Sequence, residues 1–443
     1  MHTAQSDPAS PPANAEDAPV PPWRPATRVA FRFCFVYFGL FCLLFAQITF
    51  AFAGILATLL PDRAVLWQLV LLDPALSWVG RTVFGVDAQL RPDSGSGDQA
   101  VIWVLVFCLL VVAVLATAVW SVADRRRVGY PRLHAWFLVF VRLCLGGQML
   151  FYGMAKLIPT QMPAPAPSAL LQPYGEFSPA SVLWLQVGSS YPYEMLLGGV
   201  EVLGGLLLFL PRTATLGALL SAASMAQVFL LNMTFDVPVK ILSFHLLALS
   251  LVLLAPQLQR LANLLVLQRP AAPATQPPLF ASARANRIAV AVQVLVGIWI
   301  LVGTTSISWD AWRSYGGGSA KPELYGIWTV SEYVRDGAVV PPLTTDDTRW
   351  QRLVFDAPEV AAVQKMDGTL QPVQAAVDVA DRTLRLDGDP SGTFTFTRAG
   401  DELQLVGTVA DQPVTMTLQR TDPDGLPLFN RGFHWVQEYP YFR

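Results

Sequence analysis

The stretch QAVIWVLVFCLLVVAVLATAVWSVA, residues 99–123, carries no Asp, Glu, Lys or Arg. At 1.5 Å per residue a helix of that length crosses the roughly 30 Å hydrocarbon core of a bilayer. It ends in Asp124-Arg125-Arg126-Arg127, a charge block that fixes where the apolar run stops. Four further stretches, 33–61, 213–235, 241–259 and 288–309, are also free of these four residue types. Two more apolar runs of similar length, at about 135–157 and 193–211, each contain ionisable residues. Together these predict an α-helical polytopic membrane bundle of about seven spans.

Composition agrees. Of the 443 residues 53% are hydrophobic and 14% charged, against roughly 25% charged in soluble domains. A net charge of -2 leaves no basic surface for nucleic acid. Residues 1–27 are rich in Ala and Pro and read as a disordered tail. The run from Phe33 is too long for a signal h-region and is expected to be a retained anchor. Cys34, Cys42, Cys108 and Cys144 all fall in apolar runs without a CxxC pair, which argues against a thiol-disulfide relay and for small apolar helix residues.

Arginine sets the expected orientation. Arg24, Arg28, Arg32, Arg125, Arg126, Arg127, Arg132, Arg212, Arg260, Arg269, Arg284 and Arg287 fall on one side of seven spans. By the positive-inside rule that side, with the N-terminus, is cytoplasmic. The expected location is the bacterial inner membrane, multi-pass, with everything after the last span in the periplasm. Of the external loops, 62–98 should hold interfacial helices, and 159–191, with six prolines, should form a helix-free lid over the outer ends of the spans. On the cytoplasmic side 257–268 has Leu at helical spacing and is expected to lie flat on the membrane.

The pattern changes after a Gly-rich linker, 313–320, expected to be a flexible hinge. Period-two runs at 350–355, 383–386, 393–397, 403–409 and 414–418 predict strands, and turns such as Met366-Asp367-Gly368 and Asp387-Gly388-Asp389-Pro390 separate them. The expected domains are therefore a transmembrane domain over 28–312 and a small antiparallel β domain over 321–443. Gly326-Ile327-Trp328 resembles the Gly-x-Trp opening of lipocalin-like barrels, though a Trp at a strand start also serves as plain core. The aromatic terminus, 431–443, reads as a final edge strand or as a segment docking on the barrel or the membrane.

Charges inside spans cost about 2.5 to 3.5 kcal/mol each on insertion scales and mark function by default. Arg142 lies ten residues past Arg132, and Glu201 eleven before Arg212. Their depths, about 15 and 16 Å, predict an intramembrane Arg142–Glu201 ion pair, whether as a helix clamp or as chemistry. At the outer ends, Tyr152, Lys156, Glu194, Asn232, Asp236, Lys240 and His245 are expected to form a polar pocket under the lid, suited to a quinone headgroup or a lipid. Simple snorkelling of the two lysines is the plain alternative. His245 has no second histidine at its depth, which disfavours bis-His haem and leaves proton transfer or a hydrogen bond to a quinone open. No histidine cluster has zinc-ligand spacing.

The run Val141-Arg142-Leu143-Cys144-Leu145-Gly146, then Gly153 and Lys156, then Glu201-Val202-Leu203-Gly204-Gly205-Leu206-Leu207-Leu208 resembles the core helices of DoxX-like membrane proteins, over residues 134–256. The segment Asp236-Val237-Pro238-Val239-Lys240 with His245, and Arg431-Gly432-Phe433-His434-Trp435, resemble a longer bacterial subgroup with the same core. The resemblance implies a four-helix module, in some relatives a subunit of a thiosulfate:quinone oxidoreductase, with Arg142, Lys156 and Glu201 at the polar core positions. It also implies a quinone as candidate cofactor and a redox partner. The alternative is a non-enzymatic scaffold in which the β domain binds a periplasmic protein or an apolar ligand. Whether any reaction is catalysed is left open by the residues.

Overall fold

A computed structural model describes residues 22–271 and 278–442. The expected tail lies, up to residue 21, outside them. The helices, in chain order, are α1 (Pro25–Leu44), α2 (Ala46–Phe50), α3 (Trp67–Val79), α4 (Ala100–Ala123), α5 (Pro131–Leu157), α6 (Pro179–Gly188), α7 (Tyr191–Leu208), α8 (Ala214–Thr234), α9 (Lys240–Leu254), α10 (Leu258–Leu265) and α11 (Ala283–Ser314). Among the described residues six helices are long and apolar enough to cross a membrane: α1, α4, α5, α8, the run formed by α9 and α10, and α11. The chain is a multi-pass membrane protein with a β-barrel domain. The run expected at 193–211 is α7, which carries Glu194 and Glu201 and is not among those six.

The first apolar run is not one straight span. Helix α1 starts eight residues before Phe33 and takes in Arg32. That arginine is buried yet bonded, by Nη1 to Ser121 Oγ at 2.9 Å and by Nη2 to Tyr130 Oη at 2.7 Å. Tyr130 in turn donates to Asp124 Oδ2 at 2.9 Å. The helix breaks at Phe45, whose ψ is 105°. The remainder is α2 and a 3-10 segment (Ala51–Leu59), and the 3-10 segment folds against α11. Gly54 makes that possible: its φ is +55°, and it lies in the groove opposite Gly303, where a side chain would hold the backbones apart.

Two loops differ from expectation. The lid contains α6, ten residues long, because Pro179 sits at the first helical position, where no N–H is needed. Ser178 caps it by accepting from Ser181 N at 3.2 Å. The Gly-rich linker is a hydrogen-bonded turn, with Gly316 N donating to Ala311 O at 3.1 Å and Gly318 N to Trp312 O at 3.2 Å.

The C-terminal strands are β1 (Gly326–Arg335), β2 (Ala338–Val339), β3 (Trp350–Ala357), β4 (Glu359–Lys365), β5 (Leu370–Asp378), β6 (Thr383–Gly388), β7 (Gly392–Ala399), β8 (Glu402–Val409) and β9 (Gln412–Thr421). Each pairs antiparallel with its neighbour, β2 hangs on β1 as a short hairpin, and β1 pairs with β9 to close eight strands into a barrel. Closure removes the sheet edges. Trp328, Tyr333, Trp350, Phe355 and Phe394 fill the interior, each at most 1% exposed. Trp328 Nε1 donates to Leu324 O at 2.7 Å.

Strand β4 escapes a period-two reading. In β4 four consecutive residues, 361–364, are buried, so both faces are covered. The outer cover comes from the helical part: Leu171 of the lid packs on Ile327, Val354 and Ala362. Beside it Ser168 donates from N and Oγ to Asp356, at 2.9 and 2.6 Å. Residues 431–442 form no edge strand; after a four-residue helix, α12 (Pro427–Asn430), they expose Trp435 and Phe442 at 91% and 92%.

Candidate functional site

Glycine sets how closely α5 and α7 approach. A Cβ on Gly198 would sit 2.6 Å from the Gly153 carbonyl oxygen, and one on Gly205 3.1 Å from that of Gly146. The backbones therefore touch, as small residues allow in membrane helices. A Cβ on Gly153 would lie 3.0 Å from that of Glu201, so Glu201 is level with the turn running from Gly153 to Lys156. Lys156 Nζ reaches Glu201 Oε2 at 2.8 Å, with both side chains buried.

This pairing replaces the expected Arg142–Glu201 pair. Near its start α5 has no α7 beside it: Gly146 faces Gly205 and Phe209, so Arg142 is level with the chain just past the end of α7. Depths counted from Arg132 and from Arg212 thus begin at different levels. The error is about three helical turns. Arg142 donates instead from Nη2 to Gln293 Oε1 on α11.

Lys156 and Glu201 stand in the wall of an apolar cavity of about 90 Å³. Tyr152, one turn before Lys156, joins them, with the ammonium 5.9 Å from its ring centroid. From α8 and α9 come Asn232 and Ser243, and Asn232 Nδ2 donates to Ser243 Oγ at 3.0 Å. Leu246 and Met225 supply apolar wall. The roof is the lid: Met162, Leu183 and Trp184 close over the cavity, and Trp184 Nε1 donates to Gln161 O at 3.0 Å. Glu194 holds that roof, its Oε1 accepting from Met162 N at 3.0 Å while the residue is fully buried.

Of the seven expected pocket residues, Tyr152, Lys156 and Asn232 line the cavity and Glu194 braces its roof. The other three do not converge there. Lys240 pairs with Asp236 at 2.9 Å and lies 3.8 Å from Asp98, at the partly exposed start of α9. Asp98 accepts from Lys240 N and Ile241 N at 2.8 and 3.0 Å, an anion on a helix N-terminus. His245 points to α1. Its Nδ1 is 2.6 Å from Ile241 O, so Nδ1 carries the proton and Tyr37 Oη donates to Nε2 at 2.8 Å. Its ring stacks on Phe41 with centroids 3.9 Å apart, and both nitrogens are engaged inside the fold.

Sequence reasoning missed Gln161, Met162, Trp184 and Ser243, whose role depends on how the lid and α9 fold back. A polar residue in an apolar helix was the available signal for Ser243. Cys42 and Cys144, far apart in sequence and on different helices, are brought side by side between α1 and α5.

The cavity offers both donors and acceptors. Lys156 uses one of three N–H donors on Glu201, and the Tyr152 hydroxyl makes no hydrogen bond among the described residues. One Glu201 oxygen remains for an incoming group. Such a site can take a small polar head with an apolar body.

No family model matches the chain, and no solved structure matches it. Over 113 residues, 26% of this chain and 71% of the relative, it is 34% identical to the uncharacterized protein YwoB of Bacillus subtilis (strain 168). By that segment the chain belongs to the family of YwoB.

Proposed function

We propose that this member of the YwoB family is a seven-span inner-membrane protein with a DoxX-like core that binds a quinone or lipid headgroup in the Lys156–Glu201 cavity, in a redox or envelope process. The observation that carries the binding reading is a buried ion pair in the wall of a largely apolar cavity, with an unengaged Tyr152 hydroxyl beside it. A charge pair used only as a clamp needs no cavity next to it. Helix α7 serves as the seventh span, with Glu201 paired to Lys156 and Glu194 Oε1 accepting from Met162 N.

In this reading the arginine-rich end of the bundle, where Arg28 donates to Arg127 O at 2.6 Å, is cytoplasmic. The lid and the barrel, which resembles a lipocalin in its Gly326-Ile327-Trp328 opening, face the periplasm. Lys156 and Tyr152 donate to a carbonyl or phosphate oxygen of the ligand, and Glu201 accepts from a hydroxyl. The test is purification in mild detergent with mass spectrometry and an absorption spectrum of what co-purifies. A quinone or a defined lipid present in the wild type and depleted in Tyr152→Phe supports the reading. Equal occupancy in a correctly folded Tyr152→Phe and in Ser243→Leu, which narrows the cavity, would remove it.

A second reading, a scaffold whose barrel engages a periplasmic partner, is favoured by the exposed Phe433, Trp435, Tyr439 and Phe442. The side chains filling the barrel speak against an apolar ligand inside it.

A further inference from the structure

In the helical part, Arg142 is the buried cation for which the described residues supply no acid. Lys156 has Glu201, and Arg32 has Tyr130 hydrogen-bonded to Asp124. Arg142, 4% exposed, has the neutral amide of Gln293 alone, and its Nε is buried without a partner. Gln293 cannot turn to do more: its Nε2 donates to Ala289 O at 2.9 Å, which holds Oε1 toward the guanidinium.

The same arginine lines a cavity of about 450 Å³ at the opposite end of α5 from the Lys156 site, between α5, α11 and the chain on either side of α8 and α9. Its polar lining is His134, Arg142, Thr215, Gln257, Asn286 and Gln293, and among the described residues no carboxylate lines it. Residues 272–277 contain no Asp or Glu either. The rest of the lining is aliphatic, including Leu138, Val139, Leu253 and Val290.

A guanidinium removed from water needs an anion, and its fork of donors matches an oxyanion. We propose that this cavity is a binding site for a phosphate oxyanion carried on an apolar tail, the chemistry of an anionic phospholipid, with Arg142 as its counter-ion. The phosphate sits against Nε and the unengaged N–H groups of Arg142, and the aliphatic walls take the first part of the acyl chains. The helix α10 that follows the cavity, with its exposed Leu258, Leu264 and Leu265, keeps this mouth at the level where lipid headgroups lie.

The experiment is native mass spectrometry of the full-length protein in dodecyl maltoside, titrated with phosphatidylglycerol, with diacylglycerol of the same tails, and with inorganic phosphate. The site predicts saturable binding of phosphatidylglycerol and none of diacylglycerol. Arg142→Gln should lower the affinity at least tenfold. Because Arg142→Gln can also disturb folding, Ala289→Trp is the second variant: it fills the cavity, leaves the guanidinium in place and should give the same loss. Phosphate binding alone, abolished by both variants, would support the oxyanion site with a soluble source. Phosphatidylglycerol binding unchanged in both variants, or no binding of any probe, would overturn the proposal.

Discussion

Removing one member of the Lys156–Glu201 pair should be far worse than removing both. The two charges are 2.8 Å apart and about 6% and 3% exposed. At the effective dielectric of about 20 that suits protein sites, their attraction is about 6 kcal/mol. Desolvation costs several kcal/mol per ion, so the intact pair contributes little net stability. Glu201→Gln leaves the ammonium without its anion in an apolar wall, and loses about 3–5 kcal/mol; Lys156→Met strands the carboxylate at similar cost. The double variant Lys156→Met with Glu201→Leu removes both charges and should unfold near the wild type. With Glu201→Leu as the matching single variant, the coupling energy of this cycle is then about the sum of the two single-variant losses. The assay is thermal unfolding in detergent followed by intrinsic fluorescence, where the single variants should shift Tm down on the order of 10 °C. A Glu201→Gln protein that melts within about 2 °C of wild type would refute the reasoning, because Lys156 would then have water or another partner. A double variant as unstable as the sum of the singles would show that the two residues are not coupled.

Gly198→Ala places a methyl 2.6 Å from the Gly153 carbonyl oxygen, backbone that cannot step aside, and should cost about 1–3 kcal/mol as overpacking in the same unfolding assay. Asp356→Ala removes both bonds from Ser168; proteolysis of the 159–178 segment should speed up while the helical core stays resistant, and an unchanged digestion rate would mean that the barrel does not hold the lid. In the barrel, the Thr348 hydroxyl and then its N–H, with Arg349 N, donate to Asp346 and hold its carboxyl below the ordinary 3.8. That contribution is fully present above pH 3.8 and is lost as pH falls through the lowered folded value. It should be under about 1 kcal/mol because the site is exposed; Asp346→Asn should flatten the acid limb of the stability curve by that amount, as read by chemical unfolding at pH 3 and pH 7.

The apolar runs and the period-two runs are local properties, and they decided the two kinds of structure without help from tertiary contacts. A charge-free helix such as 100–123 has no soluble solution, and an alternating run such as 403–409 buries one face whichever sheet it joins. The spacing of Tyr152 and Lys156 was legible for the same reason, since four residues are about one turn of a single helix.

Everything that relates one helix to another lay beyond the sequence. Arg142 and Glu201 looked level because each depth was counted from its own arginine, and nothing local says that α5 extends about three turns past the end of α7. The glycine contacts between the two helices fix that offset and hand Glu201 to Lys156. The turn at the start of α9 likewise points His245 to Tyr37, away from the cavity, and strand β4 loses its alternation because Leu171 covers its outer face. Periodicity is written along one chain direction, whereas register and partner choice arise when two elements pack, and packing is decided by side chains far apart in sequence.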